Sequence, residues 1–279
     1  MSGKLEFKNP SIIERIKSML SVDFYRLFHT PLFYIFLGIA AIIPALVSMG
    51  MSTVDPTTGQ ITGTTLENIW IMVAVKEPLY VVNTIAEYAN MNMVFIFGGI
   101  MVSIFIGHDY KSGYVKQLFT THAKKQDYMI SKTLTCAFAM ACMCLTYLIG
   151  TIASGMFNQI SFKVNVMSLI LAILGKMVMS LGWASLYTFL NIIFRKYFGV
   201  SIASSFFFGT GILIIGVAAI IESLSLDSSI LNLFLYGSSV NACLSSNVFT
   251  LLTCLAVSLL WTVIYNVFGT FILNKSDVY

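Results

Sequence analysis

Charge is what this chain has least of. Only 10% of its 279 residues are Asp, Glu, Lys or Arg, against roughly 25% in soluble domains. None of the carboxylates falls inside its long apolar stretches. That removes the acidic relays that proton-coupled carriers and intramembrane proteases use. The histidines are three, His29, His108 and His122, and no two have metal-ligand spacing. There is no G-x-x-x-x-G-K-[ST] loop: Gly175-Lys176 is followed by Met177 and has no upstream Gly. The chain therefore has no phosphate cradle of that kind. No Gly-x-Ser-x-Gly elbow occurs either. Of the five cysteines, Cys136, Cys142, Cys144 and Cys254 lie inside apolar stretches and Cys243 stands alone, so no disulfide framework is expected. No catalytic residue, metal site or resident cofactor is assigned.

What the chain has instead is apolar length. Hydrophobic residues make up 57% of it. A helix needs ~20 mostly apolar residues to cross a bilayer core of ~30 Å, and backbone in lipid must satisfy its own hydrogen bonds. Six stretches meet that condition: Pro31–Ser52, Asn90–Gly107, Thr133–Phe157, Met167–Phe194, Phe198–Ile221 and Phe249–Leu273. The predicted fold is all-α, a polytopic membrane protein with six transmembrane helices. No cleaved leader is expected, because the first apolar run is as long as a full span. No internal repeat is visible.

The basic residues orient the spans. Lys4, Lys8, Arg15, Lys17 and Arg26 precede the first, and Lys111, Lys116, Lys124, Lys125 and Lys132 lie between the second and third. Arg195 and Lys196 separate the fourth and fifth, and Lys275 follows the sixth. The opposite side holds only Lys76 and Lys163. By the positive-inside rule the rich side is cytoplasmic, which puts both termini there, in the cell (plasma or inner) membrane. The basic surplus thus answers to the lipid bilayer, not to nucleic acid. A seventh span over Ile69–Val82 is opposed by Lys76, Glu77 and Pro78 and would turn the Lys-rich loop outward. Residues 53–89 and 222–248 are expected as extracellular loops, with Ile230–Tyr236 dipping into the interface.

Two segments outside the spans are patterned. In residues 1–30, Asn9 can cap a helix opened by Pro10, and Ile12, Ile13, Ile16, Met19, Leu20, Phe24, Leu27 and Phe28 follow at helical spacing. Such a basic amphipathic helix lies in the interface plane. In the cytoplasmic loop 108–132, Tyr114, Val115, Leu118 and Phe119 form an apolar stripe beside Lys111 and Lys116. A short helix there can present aromatic groups to a docking groove; a plain interfacial helix is the simpler reading.

These features, in order, resemble the permease subunit of ABC-2 type transporters. The resemblance is carried by Asp23-Phe24-Tyr25-Arg26-Leu27 before the first span and by Asp109-Tyr110-Lys111-Ser112-Gly113-Tyr114-Val115-Lys116 after the second. Lys124-Lys125, Ser131-Lys132 and the ending Leu273-Asn274-Lys275-Ser276-Asp277 add to it. The chain departs in having Tyr114 where Thr is common and Lys124-Lys125 where Arg is common. The resemblance implies one six-helix transmembrane domain over 31–279, with the N-terminal segment as a connecting helix and loop 108–132 as a coupling helix. Tyr110, Lys111, Tyr114, Val115, Leu118 and Phe119 would meet a cytoplasmic ABC ATPase, which would carry the ATP and Mg. A second permease copy or a sister permease would complete the pathway. The implied activity is ATP-driven export of amphipathic peptides, antimicrobials or toxins. A secondary carrier or channel, or a non-transport scaffold or immunity protein, remains as an alternative.

The pathway candidates lie on the first and fifth spans. Ser204 and Ser205 precede Phe206, Phe207 and Phe208, an order that suits a polar vestibule closed by an apolar constriction. Phe33, Phe36 and the kink candidate Pro44 are the first span's contribution. Lys176 is the one charge inside a span, with Ser180 and Ser185 near it in sequence. Snorkelling or interhelical structure is the plainer role for it, substrate or gate chemistry the sharper one.

Overall fold

The computed structural model describes residues 11–50, 85–120, 123–157, 166–225, 227–244 and 247–275. Its helices are α1 (Ile12–His29), α2 (Pro31–Gly50), α3 (Ile85–Lys111), α4 (Tyr114–Thr120) and α5 (Lys125–Phe157). They continue as α6 (Val166–Ile193), α7 (Phe198–Gly209), α8 (Ile212–Ser223), α9 (Leu235–Leu244) and α10 (Val248–Lys275). A 3-10 turn over Ser228–Leu233 precedes α9. No strand occurs among the described residues. Helices α3, α5, α6 and α10 are each long and apolar enough to cross a membrane. The bent pairs α1–α2 and α7–α8 raise the number to six if each pair is one span.

Local chemistry sets the helix ends. Helix α1 starts two residues later than the Asn9–Pro10 reading, which falls outside the described residues. Its N-cap is Ser11: the Glu14 amide donates to Ser11 Oγ at 3.3 Å, and the Ser11 amide donates to Glu14 Oε2 at 2.7 Å. This capping box satisfies two end donors reciprocally. Thr30 is extended before Pro31, as the residue ahead of a proline prefers. The chain bends there by 65°.

The fifth stretch is not one continuous helix. It breaks between α7 and α8 with a bend of 44°. Gly211 at the break has φ 73°, a left-handed conformation that glycine adopts without strain. A side chain there would also strike the Tyr236 ring. The expected third span gains length in the opposite way, since α5 begins at Lys125.

Helix α6 is the hub, packing on α3, α5, α7, α9 and α10. Its span is 72% buried, against 17% for α10, so α6 forms the interior and α10 a wall. Helix α9 sits on α6, α10 and α3 with Leu235, Val240 and Ala242 buried. The core joins Phe95, Met101, Met140, Met143, Trp183 and Tyr187. The segments read as extracellular over 53–84 and as a seventh-span candidate lie outside the described residues.

Candidate functional site

The most concentrated chemistry lies where α1, the end of α3, α4 and the start of α5 meet. Asp23 and Arg26 are three apart on α1 and so share a face. Asp109 sits in the last turn of α3, and Ser131 and Lys132 lie in the first turns of α5. The Lys132 ammonium donates to Asp23 Oδ1 at 2.5 Å. It also lies 2.6 Å from Asp109 Oδ2, an ion pair without hydrogen-bond alignment. Ser131 Oγ donates to Asp23 Oδ2 at 2.7 Å. Arg26 Nη2 donates to Asp109 Oδ1. Asp23, Asp109 and Lys132 are fully buried. Two cations and two carboxylates thus form one neutral chain, Arg26–Asp109–Lys132–Asp23.

Aromatic rings enclose the cations. Lys132 Nζ lies 4.9 Å from the Phe105 ring centroid and 5.5 Å from those of Tyr114 and Tyr128. Arg26 Cζ lies 4.2 Å from the Tyr114 centroid and 5.8 Å from that of Phe105. A charge removed from water is costly unless it is paired and its hydrogen bonds are met. Here that cost is met mutually, so no member can leave alone. A second pair, Arg15 Nε to Asp127 Oδ2 at 2.7 Å, ties α1 to α5 nearer the helix starts.

A neutral network lies further along the bundle. Ser103 on α3, Asn191 on α6, and Ser201 and Ser205 on α7 are all buried. Ser103 Oγ and Ser205 Oγ are 2.8 Å apart, Asn191 Nδ2 donates to Ser103 Oγ at 3.1 Å, and Ser201 Oγ donates to Asn191 Oδ1. This network holds α7 to α3 and α6.

The stripe on α4 turns toward this chain's own α5 and α10. Val115 is buried in a cluster with Tyr128, Met129, Ile192 and Leu273, with Tyr110, Leu118 and Phe119 packed on it. The Phe119 and Tyr128 rings meet edge to face at 5.6 Å. The reason is the turn at Gly113, where φ is 75°: it folds α4 back so that its apolar side faces the bundle. Lys111, Ser112, Lys116, Gln117 and Thr120 are left exposed.

The pathway candidates divide. Phe33 and Phe36 are buried within the chain on α2, which packs on α5 and α3. Ser205 belongs to the neutral network. Ser204 is half-buried and donates to the Ser201 carbonyl at 2.9 Å. Phe208 is half-buried, whereas Phe206 and Phe207 are 50% and 41% exposed. The outward face of α7 is therefore aromatic. Helix α8 continues it with exposed Ile212, Leu213, Ile215 and Ile220.

Lys176 is buried, with Nζ 5.1 Å from the Tyr147 ring centroid. Among the described residues no carboxylate pairs with it. Ser180 donates back to the Lys176 carbonyl at 3.1 Å, and Ser185 to the Gly182 carbonyl. Among the described residues Cys136, Cys142, Cys144 and Cys254 form no disulfide. Among the described residues, no group of three His, Cys, Asp or Glu side chains is placed to hold a metal ion.

Asp23, Arg26, Asp109 and Lys132 stand in three motifs far apart in the sequence, and spacing alone does not reveal that those motifs face one another. No known family model matches the chain, and no curated protein matches it.

Proposed function

We propose that this chain is the permease subunit of an ABC-2 type transporter, exporting amphipathic peptides, antimicrobials or toxins with ATP hydrolysed on a partner ATPase. The observation that carries the reading is the convergence of three motifs. Asp23 and Arg26, Asp109, and Ser131 with Lys132 are the residues on which the resemblance rests, and they meet in one buried ion cluster. Helix α1 is joined to two spans through these charges and α4 meets them through the Tyr114 ring, a means of passing force from a partner into the membrane, because the pairs resist separation.

In this reading α2 is the first span, led into by α1 as the in-plane connecting helix, and the bent pair α7–α8 is one span, giving six with the basic end and both termini facing the cytoplasm. The ATPase, carrying ATP and Mg, meets the exposed residues from the end of α3 through α4: Lys111, Ser112, Lys116, Gln117 and Thr120. The inward stripe of Tyr110, Tyr114, Val115, Leu118 and Phe119 transmits the contact. The substrate route runs between this chain and a second permease, along the exposed side of α7 with Phe207 and half-buried Ser204 and Phe208. Lys176, without a described carboxylate partner, is a second polar feature available to the route.

The test is reconstitution. The chain is purified from its native membrane, and the bound fraction is examined for a P-loop ATPase whose hydrolysis it stimulates. That ATPase should bind the wild type and lose the Lys116→Glu, Gln117→Glu variant, with ATP-driven efflux lost in step. Flux that follows an ion gradient and ignores ATP would make the chain a carrier. A chain with neither ATPase nor flux would be a scaffold.

A further inference from the structure

We infer that Tyr114 is a positioning residue: its ring is the clasp by which α4 holds Arg26 on Asp109. The inference deepens the permease reading, since it rests on α4 as the element a partner moves, and it makes one side chain the link between that movement and the ion cluster.

Three observations lead to it. First, the Arg26 guanidinium is incompletely satisfied. Nη2 reaches Asp109, but Nη1 is buried with no hydrogen-bond partner. Asp109 also faces Lys132, so its charge is shared between two cations. Second, the Tyr114 ring covers the guanidinium, with Cζ 4.2 Å from its centroid. That is the nearest cation–ring approach in the cluster, and it supplies an electrostatic partner where a hydrogen bond is missing. Third, Tyr114 is the first residue of α4 and follows Gly113, whose left-handed turn swings the helix back over the cluster. That turn therefore fixes where the ring sits over the guanidinium.

Withdrawing the ring leaves a half-buried guanidinium with a single shared carboxylate. Its hold on Asp109 then weakens, and the last turn of α1, ahead of the 65° bend into α2, is released. Asp23 stays on Lys132 and Ser131, so α1 pivots about Asp23 and is not freed altogether.

Hydrogen exchange tests this in the full-length chain in detergent or nanodiscs. In Tyr114→Leu, amides from Asp23 to His29 should exchange about tenfold faster, the scale of one desolvated cation–π contact, while α6 and α10 keep wild-type protection. Tyr114→Phe keeps a ring and should stay near wild type. Leu118→Ala loosens α4 packing without touching the ring and should also leave Asp23–His29 unchanged. Wild-type exchange in Tyr114→Leu would overturn the inference. So would equal acceleration in Leu118→Ala, which would make the effect one of helix packing. With the partner ATPase present, ATP-driven efflux by Tyr114→Leu should fall. If the wild type binds no ATPase, the permease reading fails, and the exchange result still decides whether Tyr114 clasps Arg26.

Discussion

Two buried polar networks tie this bundle together, and they are built from opposite materials. The cluster of Asp23, Arg26, Asp109 and Lys132 uses four full charges. The network of Ser103, Asn191, Ser201 and Ser205 uses hydroxyls and one amide. The two lie close together: Asp109 is in the last turn of α3 and Ser103 one to two turns before it, while Asn191 is in the last turn of α6 and Ser201 in the first turn of α7. What separates them is the cost of an unpaired member, several kcal/mol for a buried ion and less for a hydroxyl. Charges give a joint that resists separation because each ion left unpaired is costly, whereas hydroxyls give one that loosens by degrees.

The largest break in that contrast should come from Lys132→Met. It leaves Asp23 and Asp109 buried with only Arg26 to balance them, and removing one partner of a buried pair costs about 3–5 kcal/mol. Denaturant unfolding in mixed micelles would read it; a loss under ~1 kcal/mol would mean that the cluster is wet and the contrast false. Gly211→Ala should cost about 1–3 kcal/mol, the scale of left-handed strain, aggravated by the Tyr236 ring. Because the neutral network holds α7 and not α8, the loosening should appear in α8 exchange, with α7 unchanged. Asn191→Leu should cost about 1 kcal/mol, typical of a hydrogen bond inside a membrane protein, and graded variants at Ser103 and Ser205 should cost less. An effect at Asn191 as large as that at Lys132 would erase the distinction.

The smallest effect concerns pH. The Ser11 amide and hydroxyl hold the Glu14 carboxyl below its ordinary range. A depressed carboxyl stabilises the first turn of α1 above the ordinary carboxylate range, and that stabilisation is lost as pH falls through the lowered value. Amide exchange at Ile12–Arg15, corrected for its intrinsic rate, should rise only at the acid end and become flat in Glu14→Ala. The neutral network has no ionisable member and should show no such step. Cysteines at Lys116 and at Asp227 provide a separate check on sidedness: an impermeant reagent added outside intact cells should reach only position 227.

Much of this was legible in the sequence, for identifiable reasons. Apolar length located α3, α6 and α10 closely, since lipid imposes that length on any helix that crosses it. The α7–α8 break was hidden because Gly211 needs Tyr236 behind it and the left-handed turn in front. Neither is visible in a run that stays apolar on both sides. The start of α1 was readable as Ser11-x-x-Glu14, yet Asn9-Pro10 competes with it as a start signal. The ion cluster was half legible. Asp23, Asp109 and Lys132 were noticed as motif letters, but periodicity ranks a helix by its apolar face, and the buried residues of α1 are Asp23 and Leu27. The stripe on α4 was read correctly as apolar. Whether it faced a partner or its own bundle depended on the Gly113 turn, which spacing alone does not reveal.

The central claim, that the four charges act as one unit, is tested most directly by a double-mutant cycle on Asp23 and Lys132, read as unfolding free energy. Lys132→Met alone leaves a net negative charge in the buried cluster. Asp23→Asn combined with Lys132→Met leaves only the balanced pair of Arg26 and Asp109. The double variant should therefore be more stable than Lys132→Met, by about 1–3 kcal/mol of coupling. Costs that simply add, with the double variant the least stable of the set, would show four independent contacts and contradict the claim.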